Sequence, residues 1–246
     1  MPVDSLSPVA PNPPAFRLEG TGFAYGRHAV LAPFAFDLGT TETVAILGTS
    51  GCGKSTLLRL LAGLLPGIHS PWADKAAWMA QQDLLLPWLS LLENVLLGAR
   101  LRGEPPDTAR ARNLLARLGL ADRANALPAA LSGGMRQRTA LARTLMEDRP
   151  LVLMDEPFSA LDAITRIAIQ DLACGLLADR AVVLVTHDPA EACRLADRIF
   201  VLTGQPAGLQ QIAALSGPRP RDPLDPALLP ILRSIHGALK LAAGVA

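Results

Sequence analysis

The stretch Gly48-Thr49-Ser50-Gly51-Cys52-Gly53-Lys54-Ser55 constrains this chain more than any other. It lies between the apolar run Thr43-Val44-Ala45-Ile46-Leu47 and the helix-like run Thr56-Leu57-Leu58-Arg59-Leu60-Leu61-Ala62. Glycine, four residues and Gly-Lys-Ser, placed after a strand and before a helix, form a phosphate-binding loop. Glycines let successive backbone N–H groups turn inward around an anion with no Cβ in the way. The helix that follows aims the positive end of its dipole at the same place. Lys54 adds a full charge, and the Ser55 hydroxyl suits Mg2+. Gly48 to Thr56 are therefore the candidate nucleotide-binding residues. The Cys52 side chain within them reads as a small filler with no catalytic part.

The 246 residues suffice for one large domain, or for a domain with a subdomain, and half of them are hydrophobic. A formal charge of +1 provides no broad basic field, so nucleic acid is not an expected partner. No uninterrupted apolar stretch is long enough to span a bilayer; the longest candidate, residues 84–97, contains Pro87, Glu93 and Asn94. The N-terminus lacks the pattern of a signal peptide. Pro2, Pro8, Pro11, Pro13 and Pro14 predict a flexible tail over residues 1–15, and the protein is expected in the cytosol. Cys52, Cys174 and Cys193 have neither a disulfide framework nor metal-ligand spacing.

Short apolar strands are expected at residues 16–24, 44–47, 76–80, 151–155, 181–186 and 198–202, the last of these closing the sheet. Helical spacing dominates residues 89–145, with breaks at 105–107 and 126–128, and returns at 164–177 and 190–196. Strands alternating with helices predict an α/β fold: a P-loop NTPase core with a mainly parallel sheet. Pro218, Pro220, Pro223 and Pro226 predict a linker after Gly204, followed by one helix over residues 228–241 with Pro230 in its first turn.

A P-loop alone leaves kinases, GTPases and many ATPases open. Leu151-Val152-Leu153-Met154 followed by Asp155-Glu156 narrows the field. Asp155 at a strand end reaches Mg2+ directly or through water, and Glu156 beside the terminal phosphate can polarise an attacking water. Leu131-Ser132-Gly133-Gly134-Met135-Arg136-Gln137-Arg138 discriminates further. Ser132 with two glycines can cap a helix and leave bare N–H groups, which makes a second anion cradle. One nucleotide cannot easily use both cradles of one molecule, so a head-to-tail dimer is expected.

These residues resemble the nucleotide-binding subunit of an ATP-binding cassette (ABC) transporter over about residues 16–202. Residues 131–137 match the family signature. Gln81, or the adjacent Gln82, matches the Q-loop glutamine, which the resemblance places at Mg2+ and the catalytic water. Ser159-Ala160-Leu161-Asp162 matches the D-loop, His187 the switch histidine at the γ-phosphate, and Tyr25 the aromatic residue that stacks on adenine. The resemblance thus implies an ATPase with catalytic Glu156, His187 and Gln81 and metal ligands Ser55, Gln81 and Asp155. Tyr25, Ser132, Gly133, Gly134 and Asp162 join the nucleotide-binding set. Its domain organisation is a cassette over residues 16–204, with the helical signature subdomain at 89–145 and a small antiparallel β edge. Residues 64–80 are shorter than the family's usual hairpin-bearing stretch.

The resemblance also implies a homodimer on the cytoplasmic face of the inner membrane. Its partners are integral permease subunits and, indirectly, a solute-binding protein outside. Residues 84–89, Leu-Leu-Leu-Pro-Trp-Leu, either receive a short helix of the permease or belong to the subdomain core; Trp88 is the expected contact. Residues 85–88 and 154–162 resemble the nitrate, sulfonate and taurine importers, and residues 77–83 those for a pyrimidine thiamine precursor. Alternatives are a non-transport ABC ATPase or the ATPase subunit of an exporter or lipoprotein-release system.

Overall fold

The computed structural model describes residues 16–65 and 70–243. The expected N-terminal tail and four residues of the short stretch before β4, from Pro66 on, lie outside the described residues. The chain opens with β1 (Phe16–Tyr25) and β2 (His28–Leu38), an antiparallel pair, then β3 (Thr43–Gly48) and α1 (Lys54–Leu61). After β4 (Ala76–Met79) come α2 (Leu91–Val95), α3 (Leu97–Leu101), α4 (Thr108–Arg117) and α5 (Gly133–Met146). The second half alternates: β5 (Leu151–Asp155), α6 (Ala163–Leu176), β6 (Ala181–Val185), α7 (Pro189–Leu195), β7 (Arg198–Thr203), β8 (Gly208–Ala214) and α8 (Leu229–Ala242).

Six strands form the main sheet in the order β4-β5-β6-β3-β7-β8, all neighbours parallel except β7 and β8. Every residue of β3, β5 and β6 is buried, as expected of central strands covered on both faces. Alternation along each strand divides the core. Val152, Met154, Val182 and Leu184 face the helical side built from α2, α4, α5 and α6. Leu151, Leu153, Val183 and Val185 face α1 and the β1–β2 pair. Fully buried Ala45 and Leu47 lie on the same face as Leu184, where they pack against α7 and α8.

Register fixes where chemistry can occur. Ile46 lies opposite Val185 and Phe200, and Asp155 opposite Val185, so β3, β5 and β6 end at one edge of the sheet. The loops after these strands carry the P-loop, Asp155-Glu156 and His187. That edge, beyond the carboxyl ends of parallel strands, is where open α/β sheets bind ligands.

One expectation needs correction. Residues 198–202 do not close the sheet: β8 follows and pairs antiparallel with β7, inside the segment read as linker. The helix expected at 228–241 is α8, with Pro230 in its first turn as expected. The short stretch before β4 holds no strand among its described residues; Trp72 fills that space instead. Its ring is 2% exposed and sits 5.7 Å from Phe16 and 5.9 Å from Phe36.

Candidate active site

The P-loop is built from glycine conformations that side-chain-bearing residues rarely adopt. Gly51 (φ 77°) turns the loop, and Gly53 (φ 108°) is the N-cap of α1. A Cβ at Gly48 would meet the Cys52 sulfur at 2.6 Å, so the cysteine packs into the loop's own interior, consistent with a filler. Lys54 Nζ donates to the carbonyls of Gly48 and Thr49, both at 2.8 Å. An ammonium has three protons. Two steady the side chain across its own loop, and the third is available to an anion. A cleft of about 300 Å3 lies above it, lined by Ser50, Gly51, Gly53, Lys54, Ser55, Thr56, Gln81, Asp155 and Glu156. Lys54→Ala should therefore weaken ATP binding about 10- to 100-fold, the worth of one charge-assisted bond. A fluorescent ATP analogue measures this, and an affinity within twofold of wild type would remove Lys54 from the site.

Asp155 ends β5 and is 5% exposed. Burial pushes its pKa up; a hydrogen bond with Ser55 pulls it down, Glu156 opposes that, and Lys54 and Arg59 pull it down again. Serine hydroxyl, buried carboxylate and the Gln81 amide form an all-oxygen donor set of the kind Mg2+ takes, and a dication would relieve the cost of an ionised Asp155 there. Glu156 continues the chain in a left-handed backbone conformation (φ 47°). Its Oε2 lies 3.4 Å from Gln81 Nε2 and 3.3 Å from His187 Nδ1. Of the two adjacent glutamines, only Gln81 lines the cleft.

His187 stands between β6 and α7 on a reinforced loop. Asp188 Oδ1 caps α7 by accepting from Ala190 and Glu191, and the Asp188 N–H donates to Thr186 Oγ1 at 3.1 Å. Glu191, 6% exposed, hydrogen-bonds Thr186 and accepts from Gln170 of α6 at 2.9 Å; burial pushes its pKa up to about 7. Sequence reading missed this buried link between α6 and α7.

The remaining expected residues lie elsewhere. Tyr25 is half-exposed at the β1–β2 turn with an edge-on contact to Phe23, and does not line the cleft. The same hairpin reaches the P-loop through Val30, 3.0 Å from where a Gly53 Cβ would stand. Ser132 caps α5 by accepting from Met135, and Asp162 caps α6 by accepting from Thr165. Gly133 and Gly134 face Ala160 and Leu161, so the signature loop lies against its own D-loop and lines no part of the cleft.

Residues 31–159 match the ABC transporter family. This chain belongs to that family. An aliphatic sulfonates import ATP-binding protein (SsuB 1) of Xanthomonas axonopodis pv. citri is 43% identical over 221 residues, 84% of this chain and 88% of that protein. The SsuB of Ralstonia nicotianae is 46% identical, covering 88% and 78% respectively. An ABC transporter ATP-binding protein of Haemophilus influenzae is 47% identical over 76% of this chain and 81% of that one. Among solved structures, a dimeric post-hydrolysis ATP-binding cassette bound to ADP and Pi superposes with a TM-score of 0.70 at 30% identity, covering 82% of this chain and 99% of that chain. The chain is thus an ATP-binding, ATP-hydrolysing subunit of the ABC transporter family.

Proposed function

We propose that this ABC ATPase binds MgATP in the P-loop cleft, closes as a head-to-tail homodimer, and drives uptake of a sulfonate-class solute through a separate membrane permease. The observation that carries the reading is a division of labour. Lys54, Ser55, Gln81, Asp155 and Glu156 line one cleft with His187 beside it, while Ser132, Gly133 and Gly134 are on the chain but outside it. A second protomer can supply those N–H groups to the bound nucleotide, with Asp162 at the seam and Tyr25 against the adenine. Binding then favours closure by contacts made only in the closed state.

Mg2+ would be held by Ser55 and Asp155, with Gln81 reaching it, and when bound it neutralises phosphate charge. Glu156 accepts the proton of the attacking water. His187 and Gln81 hold the Glu156 carboxylate between them and turn toward the γ-phosphate. The sulfonate class rests on the names of the two SsuB relatives; a separate solute-binding protein would deliver the cargo.

A permease would meet exposed apolar side chains held on a pinned loop. Fully buried Asn94 accepts from the Leu86 N–H and donates to the carbonyls of Leu86, Leu89 and Ser90. Arg143 donates to the carbonyls of Asp83 and Leu84. Trp88 is nonetheless 70% exposed and Leu84 57%. Arg143 also lines a cleft of about 300 Å3 with Trp78, Leu97 and Leu101. Such a fixed apolar rim suits a short helix at the cytoplasmic face of a permease. Among the described residues no helix is long and apolar enough to cross a membrane, so attachment would be peripheral. Trp88→Ala should leave ATP turnover of the isolated subunit unchanged and weaken capture by the permease about 30-fold, as for an interface anchor. Undiminished capture and transport would refute this face.

A further inference from the structure

We propose that Gln137 is a positioning residue for ATP hydrolysis: it grips the turn bearing Glu156 and ties that turn to the helix that starts at the Ser132-Gly133-Gly134 loop. The proposal rests on Glu156 being the general base. Gln137 lies in the second turn of α5 and is 5% exposed. A buried amide must find partners, because burying it unpaired costs free energy that nothing offsets. Gln137 finds all of its partners in one short segment. Its Nε2 donates to the Glu156 carbonyl at 3.0 Å and to Ser159 Oγ at 3.3 Å, and its Oε1 accepts from the Ala160 N–H at 2.9 Å. Ser159 Oγ in turn donates to the same Glu156 carbonyl at 3.0 Å.

That turn requires a grip. Glu156 has φ 47°, a left-handed conformation that crowds its Cβ against the following carbonyl and is strained for a residue with a side chain. Such conformations persist only where the surroundings over-determine them. Here β6 holds one side, since the Glu156 N–H donates to the Val185 carbonyl at 2.9 Å, and α5 holds the other through Gln137. With both peptide groups fixed, the side chain leaves the line of β5 and reaches Gln81 and His187. Without Gln137 the carbonyl keeps only the bonds from Ser159, a residue of its own turn, so the turn loses its tie to α5 and can shift. A carboxylate displaced by about 1 Å can cost on the order of 10²-fold in rate. The arrangement also joins two sites. α5 begins with the loop that meets the nucleotide of a second protomer and, one turn on, holds the base of its own.

A double-mutant cycle tests this. ATP hydrolysis, affinity for a fluorescent ATP analogue and thermal stability are measured for Gln137→Met, Glu156→Gln and the double variant. Gln137→Met should lower kcat about 10- to 100-fold with KM and nucleotide affinity within about twofold, and should add no further loss in the Glu156→Gln background. An equal fold-loss in both backgrounds, or an unchanged kcat, overturns the proposal, because a merely structural residue would act independently of Glu156. If Gln137→Met does not fold, exposed Ser159→Ala removes one strand of the grip. It should lower kcat several-fold in the wild-type background alone, and equal loss or none refutes. Glu156→Gln with wild-type turnover would instead refute the base assignment itself.

Discussion

Glu156→Gln should reduce ATP turnover by at least about 10²-fold while leaving nucleotide binding intact. The substitution keeps the size and the left-handed backbone position of Glu156 and retains a side-chain oxygen to accept from Gln81 and His187. It removes the negative charge and, with it, the ability to take a proton from water. Lys54, which would contact the phosphates, donates to Gly48 and Thr49 rather than to Glu156, so affinity for ATP should stay within about threefold. Under the proposed mechanism ATP then closes the dimer but cannot reopen it. Size-exclusion chromatography should show a dimer that accumulates with ATP and disperses on chelation and nucleotide removal. Wild-type turnover in the variant, or a protein that stays monomeric with saturating MgATP, would break the chain of reasoning at the base or at the dimer respectively.

The parts of the site that announce themselves in sequence are those that a short strand presents at its end. Lys54, Asp155 and His187 each follow an apolar run, and parallel register alone brings the three runs to one edge. Gln137 does not announce itself. A glutamine in a helix with arginines on either side resembles a solvated face, and only tertiary packing turns it inward. The Gln170–Glu191 link is hidden likewise, because its partners lie 21 residues apart on different helices. β8 was unreadable for a different reason: Gly208-Leu209-Gln210-Gln211-Ile212-Ala213-Ala214 has little alternation, and as an edge strand it is only half-buried. The prolines after it signal a linker, yet two arginines among them are structural.

Those arginines lead to the second large effect. Arg221→Met should destabilise the fold by about 3–5 kcal/mol, the usual cost of breaking a buried charged network on one side. Arg221 is 9% exposed, and its NH1 donates to the carbonyls of Cys193 at 3.1 Å and Ala196 at 2.7 Å. These are the last carbonyls of α7, which have no partner within the helix and carry the negative end of its dipole. Burial lowers the guanidinium's pKa and nearby Asp197 raises it again, so charge and cap support each other. Neighbouring Arg219 completes the staple, with Nε 3.1 Å from Asp197 and NH2 donating to the Thr41 carbonyl at 2.9 Å, so the C-terminal segment is sewn to the start of β3 and β7. A methionine fills the volume but leaves two buried carbonyls unpaired, each costing about 1–3 kcal/mol. For a chain of this length the melting temperature should fall by about 10 °C. Hydrogen exchange should quicken first in α7 and β8, since opening is local before it is global. Because His187 lies just ahead of the opposite end of α7, kcat measured well below the melting point separates two roles. Unchanged turnover with lowered stability marks a staple, and an unchanged melting temperature would show that the carbonyls find other partners and that Arg221 secures nothing.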